Sequence, residues 1–425
     1  METLPTAVGR KRAQAAQATR PFVEPVITIA AKAIVAWAAS CLAASVLATS
    51  ALAAEFPKFA YHEIDKVGNL MGQTSLVDID RDGKLDWIAG CSHGDLWWFR
   101  YEAPDRWVRH RIGTKVGTEV GGIAFDVDGD GLVDQVSGST WFRNPGNATA
   151  TEWPRFANGA ITNSHDNVLA DVDGDGKPEV VMMQDTAGLY WYKIPADPTK
   201  PWQSHRVGPA IHGGIGPRGV ADLDGDGDAD IARSTGWFEN ADGKGTRWVW
   251  HDNLGPRHGG RFPDTTKSWI VDLDGDGRND LVLCDAEVTP GEGRIDWYRN
   301  EDGRGGRWTR HPIAAGKGDL HTLFVGDFNG DGVPDVFSGE GPLGGTGPGG
   351  KRRWFLWEGV RQKEQGNITV RFREHLILEG PECHEGVAAD VDGDGDLDIC
   401  SKPWNGNLHV YLRNLLVESQ PKPSP

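Results

Sequence analysis

Seven stretches of the chain place acids at alternate positions of a nine-residue segment, a spacing suited to holding a hard cation. They begin DIDRDG at Asp78, DVDGDG at Asp126, DVDGDG at Asp171, DLDGDG at Asp222, DLDGDG at Asp272, DFNGDG at Asp327 and DVDGDG at Asp390. Positions 1, 3, 5 and 9 are Asp78, Asp80, Asp82 and Asp86 in the first copy and Asp126, Asp128, Asp130 and Asp134 in the second. The third has Asp171, Asp173, Asp175 and Glu179, the fourth Asp222, Asp224, Asp226 and Asp230. The fifth has Asp272, Asp274, Asp276 and Asp280, the sixth Asp327, Asn329, Asp331 and Asp335, the seventh Asp390, Asp392, Asp394 and Asp398. Calcium takes six to eight oxygens at about 2.3–2.6 Å, and carboxylates spaced this way in a tight turn converge on one point. Position 6 is glycine in every copy, as a sharp turn requires. No copy has the position-12 glutamate of an EF-hand: Ala89, Ser137, Met182, Arg233, Leu283, Ser338 and Ser401 stand there. Up to seven structural calcium ions are therefore expected.

Histidine is the other residue type suited to chemistry, and twelve of the thirteen copies fall into two classes. His62, His110, His205, His251, His311 and His375 recur at one place in the repeat, mostly three residues after an aromatic, and read as structural, bonding between units. The irregular class is His93, His165, His212, His258, His321 and His384. His165, His321 and His384 each stand six residues before an acidic segment. Imidazoles gathered with carboxylates bind zinc or a similar divalent ion, or act as general acid and base. The bland alternative is a polar, solvated surface.

The elements that position these residues repeat at about 45 to 63 residues, the range of propeller blades. A short apolar strand precedes each acidic segment and a β-rich run follows it. Next comes an aromatic strand, such as Leu96–Phe99 or Ile295–Tyr298, then a fourth strand. Four short strands per unit and seven units predict an all-β, seven-bladed β-propeller. The last unit lacks a fourth strand, while residues 57–64 have that pattern with nothing before it. These residues are expected to complete the last blade and close the ring. The first strands then line a central channel, with the acidic loops on one face and the irregular histidines at the opposite mouth.

Acids expected near that mouth are Glu119, Asp166, Asp264, Asp285, Glu287, Asp319, Glu340, Glu382 and Glu385, with Arg218 and Lys267. Gly339–Gly350 and Ala286–Gly293 join second to third strands on this face and are placed to cover a ligand. Residues 358–365, on the other face, read as a solvated turn. The 18 tryptophans read mostly as packing between blades.

A net charge of −17 without a basic stripe argues against a nucleic-acid partner. Residues 1–54 combine early basic residues with an alanine-rich apolar run ending Ala51-Leu52-Ala53, which reads as a signal peptide. An anchor is the alternative, since 22 weakly apolar residues are just long enough to span. With cleavage, no stable membrane insertion is expected, and 55–425 is the propeller, secreted, periplasmic or at the cell surface. Cys91, Cys284, Cys383 and Cys400 form no disulfide framework.

The seven acidic segments and their flanking strands resemble the FG-GAP/VCBS repeat family, from Asp78 to Asp398. That resemblance implies a calcium-loaded propeller of the kind found in integrin α-subunit heads, fungal lectins and secreted bacterial proteins. The aromatic-strand and histidine units are also similar to the propeller of fungal aldos-2-ulose dehydratase, a carbohydrate enzyme. The function expected is binding of a carbohydrate or cell-surface glycan at the channel mouth, with metal-assisted lyase or dehydratase chemistry by His165, His321, His384 and Arg218. The alternative is a non-catalytic adhesion or protein-interaction propeller.

Overall fold

The computed structural model describes residues 56–258, 262–364 and 367–419. The signal or anchor reading of residues 1–54 lies outside them. Among the described residues no helix is long and apolar enough to cross a membrane.

Seven sheets form a ring, a seven-bladed β-propeller; each has four antiparallel strands, and the one built on Thr266–Val271 adds the short parallel strand Pro217–Arg218. The first blade shows the plan: Met71–Val77 on the inside, then Asp86–Cys91, Leu96–Ala103 and, outermost, Arg106–Gly113. The inner strands of the other blades are Ile123–Phe125, Asp166–Ala170, Val220–Ala221, Thr266–Val271, Phe324–Gly326 and Glu385–Ala389. The outermost strand of blade 7 is Phe59–Lys66, antiparallel to Leu408–Asn414, with Phe59 opposite Asn414 and Lys66 opposite Leu408. The ring is thus shut by the strand that the sequence pattern singled out.

Each blade buries its apolar faces against its two neighbours, which divides the core into seven clusters, one per interface. At the closing seam Trp87 and Phe99 of blade 1 pack with Val391, Cys400 and Tyr411 of blade 7. Third-strand tryptophans fill these interfaces. Trp98, Trp141, Trp191 and Trp237 are buried, and each donates its indole N–H to a carbonyl of the next blade: Ala148, Pro198, Gly245 and Gly305. Asn240, Asn300 and Asn414 bond backwards, to the carbonyls of Val172, Leu223 and Phe328. A tryptophan whose polar end is satisfied in a dry interface is worth about 3–5 kcal/mol against alanine.

Two expectations need correction. The regular histidines mostly do not bond between blades. His110, His205, His251 and His311 lie flat on Trp98, Trp191, Trp237 and Trp297 of their own sheets, at centroid distances of 4.6, 4.0, 4.4 and 4.6 Å. Only His62, on Asp105 of blade 1 at 2.7 Å, crosses an interface by a hydrogen bond among the described residues. Of the segment read as a solvated turn, residues 358–364 are strand. The strands Arg352–Glu364 and Asn367–Gly380 run on through them as a long hairpin, paired from Arg352 with Gly380 to Glu364 with Asn367. The fourth strand of blade 2 survives as the three residues Arg155–Ala157. Cys91, Cys284, Cys383 and Cys400 are free thiols.

Acidic loops and channel mouth

Every acidic segment joins an inner strand to the second strand of its blade, and the sevenfold sequence is a sevenfold geometry. The first carboxylate caps its own turn. Asp78 accepts the backbone N–H of Asp82 (3.1 Å) and Gly83 (3.0 Å), and Asp126, Asp171, Asp222, Asp272, Asp327 and Asp390 repeat the bond to the position-6 glycine. That glycine has φ between 79° and 102° in every copy, a left-handed conformation costly for any residue with a Cβ.

The ninth acid is a different case. Asp86, Asp134, Asp230, Asp335 and Asp398 are fully buried, and each takes the N–H of loop position 2 on one oxygen and an N–H of the third strand on the other. It ties the loop to the sheet. Burial pushes these carboxyls up, to about 7 in Asp86, Asp134 and Asp335 and about 8 in Asp230 and Asp398, with the neighbouring loop acids adding to the rise. The expectation that position 9 simply closes a cage is refined: it is first a buried hydrogen-bond acceptor. In two loops it also gathers with other acids. Asp126, Asp128 and Asp134, and likewise Asp171, Asp173 and Glu179, bring ligand atoms within 4.8 Å of one another; in the loops at Asp78, Asp222 and Asp272 positions 1, 3 and 5 do so.

These residues fit a hard cation on their own chemistry. Buried oxygens of Asp80, Asp173 and Asp392, all at position 3, have no hydrogen-bond partner among the described residues. An orphaned carboxylate oxygen beside two further carboxylates is costly unless a cation is shared among them.

At the opposite end of the channel the irregular histidines do converge, and each is held differently. His165 and Asp166 open the inner strand of blade 3. Asp166 accepts three backbone N–H groups, from Gly214 (2.8 Å), Ile215 (3.0 Å) and Gly216 (2.9 Å), while its other oxygen takes His165 Nδ1 at 3.0 Å. Burial alone would raise the Asp166 carboxyl, but Lys267 and His165 outweigh it and hold it well below the usual range. An ionised Asp166 fixes the proton on His165 Nδ1 and leaves the Nε2 lone pair for other work.

His321 donates Nδ1 to the carbonyl of His384 (3.1 Å) and Nε2 to Glu287 (2.9 Å). Burial opposes its protonation, yet Glu287 and Asp319 outweigh that and raise it. His212 bonds Asp185 at 2.6 Å and faces Glu287 at 3.8 Å, so despite burial its imidazole is raised to about 9. Glu287, between two imidazoliums, is held low against the upward push of burial. His384 stacks on His321 with centroids 4.2 Å apart. Its Nδ1 takes a bond from buried Lys402 at 2.8 Å, which places its proton on Nε2; burial and the Lys402 charge lower it far below 6.5. Burial lowers Lys402 itself to about 8, although Glu385 lies 3.3 Å away.

Two connected spaces open on this cluster. An inner cavity of about 300 Å³ is lined by His165, Asp166, Asn167, Lys267, His321 and Glu385. A shallower mouth of about 250 Å³ is lined by Glu119, His165, His212, Glu287 and His384, with Phe262, Leu343 and Trp404 at its sides. Glu382 positions Trp404 by accepting its N–H at 2.6 Å. Both longer loops reach the mouth, one through Glu287 and the other through Pro342 and Leu343.

Some candidates are elsewhere. Arg218 is exposed, its guanidinium 5.8 Å from the Trp269 ring, and lines neither space. His93 is exposed, and His258 bonds the Thr265 carbonyl at 3.0 Å. Asp285 is buried between Arg257 and Arg294, Asp264 accepts the Arg257 N–H, and Glu340 anchors the glycine-rich loop through Thr346 and the N–H groups of Gly318 and Arg353. A transition metal shared by His165, His321 and His384 does not fit, because both ring nitrogens of His321 and Nδ1 of His384 already have partners. Lys402, Trp404, Phe262 and His212–Asp185 are the contributors that sequence spacing missed or left unassigned. Only the step from Asp398 into the second strand of blade 7 could have placed Lys402 inward.

Comparison with known proteins agrees with the fold. The chain carries FG-GAP-like repeats: the FG-GAP-like repeat model matches residues 126–182, 171–232 and 272–338. No curated protein matches the chain. Among solved structures it is similar to BBS1N in complex with ARL6DN, in a lead-soaked crystal, at TM-score 0.48 and 7% identity, over 84% of this chain and 96% of that one. The mercury-soaked crystal of the same complex gives TM-score 0.46 and 8% identity over the same shares.

Proposed function

We propose that this is an exported, calcium-loaded propeller that binds a carbohydrate at the channel mouth and carries out a lyase- or dehydratase-type elimination there. The observation that carries the reading is the Asp166–His165 pair, opening beside Trp404, Phe262 and the His212–Glu287–His321 chain. Sugar rings bind against aromatic faces with acids at their hydroxyls, and this mouth offers both.

His165 Nε2 takes the proton from a carbon next to a carbonyl or carboxylate of the sugar. His384, through Nε2–H, donates to the oxygen that gains charge. The C–O bond on the neighbouring carbon breaks, a double bond forms, and the leaving oxygen takes a proton from His212, charged at neutral pH. His321 touches no substrate in this scheme and positions Glu287 and His384. Calcium, when bound in the acidic loops on the far face, supplies charge balance that holds the blades and takes no part in the proton transfers; positions 1, 3 and 5 would hold it, with position 9 where it joins the cluster. Export agrees with the extracellular setting typical of FG-GAP repeats.

The test is turnover of uronate- and keto-sugar-containing oligosaccharides, followed by the absorbance of the new double bond. His165→Gln should lose turnover while melting at the wild-type temperature; unchanged turnover would overturn the catalytic reading. A second reading, a non-catalytic glycan-binding propeller, is favoured by one observation: of the four clustered imidazoles, His321 has both nitrogens engaged and His384 one, which leaves little for chemistry. Binding of sugar by wild type without any product selects it.

A further inference from the structure

The seven acidic loops are alike in their own residues but not in what the sheet places over them. One position at the end of the third strand, directly after the aromatic run or, in blade 7, one residue further on, is Arg100, Arg143, Lys193, Arg299 and Arg413 in blades 1, 2, 3, 5 and 7. In blades 4 and 6 it is Glu239 and Glu358. The basic residues reach the loops. Arg143 pairs with Asp128 (2.6 Å) and Asp130 (3.2 Å), Arg299 with Asp274 (2.6 Å) and Asp276 (2.9 Å), Arg413 with Asp392 (2.5 Å) and Asp394 (3.1 Å). Lys193 lies among Asp173, Asp175 (2.8 Å) and Glu179 (3.6 Å). In the other two blades the acid turns to the fourth-strand histidine instead: Glu239 to His251 at 2.7 Å and Glu358 to His375 at 2.8 Å.

From this we infer that the third-strand residue grades the cation affinity of the seven loops, and that the blade 4 loop is the tightest site. This rests on the calcium reading above. Blade 4 has five aspartates from Asp222 to Asp230, no basic residue over them, and Glu239 added. Blade 6 ranks second. Asn329 removes one of its carboxylates, and Arg373, 3.1 Å from Glu358, offsets part of the added charge. In the five basic blades an arginine or lysine already neutralises part of the charge that draws a divalent ion. One charge at about 5 Å from a divalent ion, even at the dielectric constant of water, changes its affinity about tenfold.

Titration of the chelator-stripped full chain with calcium alone, by calorimetry at fixed ionic strength, tests the grading. The first equivalent should bind at least about tenfold more tightly than the later ones. Glu239→Arg should erase that gap, and Arg299→Glu should add a second tight equivalent. The second variant gains binding, so loss of folding cannot imitate it. Seven equivalent sites, or variants that leave the isotherm unchanged, overturn the grading and leave the calcium reading standing. No calcium uptake at all overturns both.

Discussion

The two ends of the channel were built by opposite rules. On the loop face the same bonds recur: in every blade a first acid on its glycine and a ninth acid on the backbone, and in four blades a tryptophan on a carbonyl of the next. At the mouth nothing recurs; His165, His212, His321 and His384 each have different partners. A residue repeated around a ring cannot converge on one substrate, so the repeated face bears stability and the irregular face is where chemistry can gather.

Removing the loop cations is the strongest way to break that contrast. Each bound ion stabilises by about 2.7 kcal/mol at a hundredfold excess over its dissociation constant, and several act at once. Excess chelator should therefore lower the melting temperature by ~10 °C or more, reversed by added calcium. A melt indifferent to chelator would remove the stabilising role of the loop face.

The mouth should answer to single changes that leave the melt alone. His165→Gln is expected to reduce turnover about a thousandfold, the size of a lost general base, with Asp166→Asn showing a similar fall because the imidazole then loses its fixed tautomer. Equal loss of melting temperature in both would mean the pair is structural.

A smaller effect separates the two faces by pH. His212 is raised to about 9 in the fold against 6.5 unfolded. The stability it contributes is complete below pH 6.5 and is lost as pH rises through 9, about 3 kcal/mol in all. Urea unfolding at pH 6 and pH 9.5 should show that difference shrinking in His212→Gln; an equal pH dependence in both proteins would contradict the ion pair. Smallest of all, Trp404→Ala should weaken sugar binding by about 1 kcal/mol with the melt unchanged, measured by calorimetry.

Much of this was legible in the residue string, for a physical reason. A cation-sized turn needs its acids and its glycine at fixed spacing within one short segment, so Asp78-to-Asp86 announces itself without the rest of the chain. Closure was legible because an orphan strand pattern at residues 57–64 matched a vacancy after Asn414. The mouth was legible only as a face. Which of its residues meet depends on distances across the ring: Lys402 of blade 7 on His384, Glu287 of blade 5 on His321 of blade 6, Asp166 under the turn leading to blade 4. Arg218 shows the limit. It stands two residues before an inner strand, yet its guanidinium lies over Trp269 and lines neither space. The acid or base that grades each loop was visible as Glu239 and Glu358 among arginines, but its meaning needed the third strand laid over the loop.

The seam at Phe59–Lys66 sets an order of events during synthesis. This strand leaves the ribosome before any of its own sheet exists and must wait, unpaired, until Leu408–Asn414 has been made. Until then the chain is an open crescent with a bare edge at each tip, prone to zip onto another copy. Shutting the circle should be the slow, final event of refolding, since it joins the most distant parts of the chain.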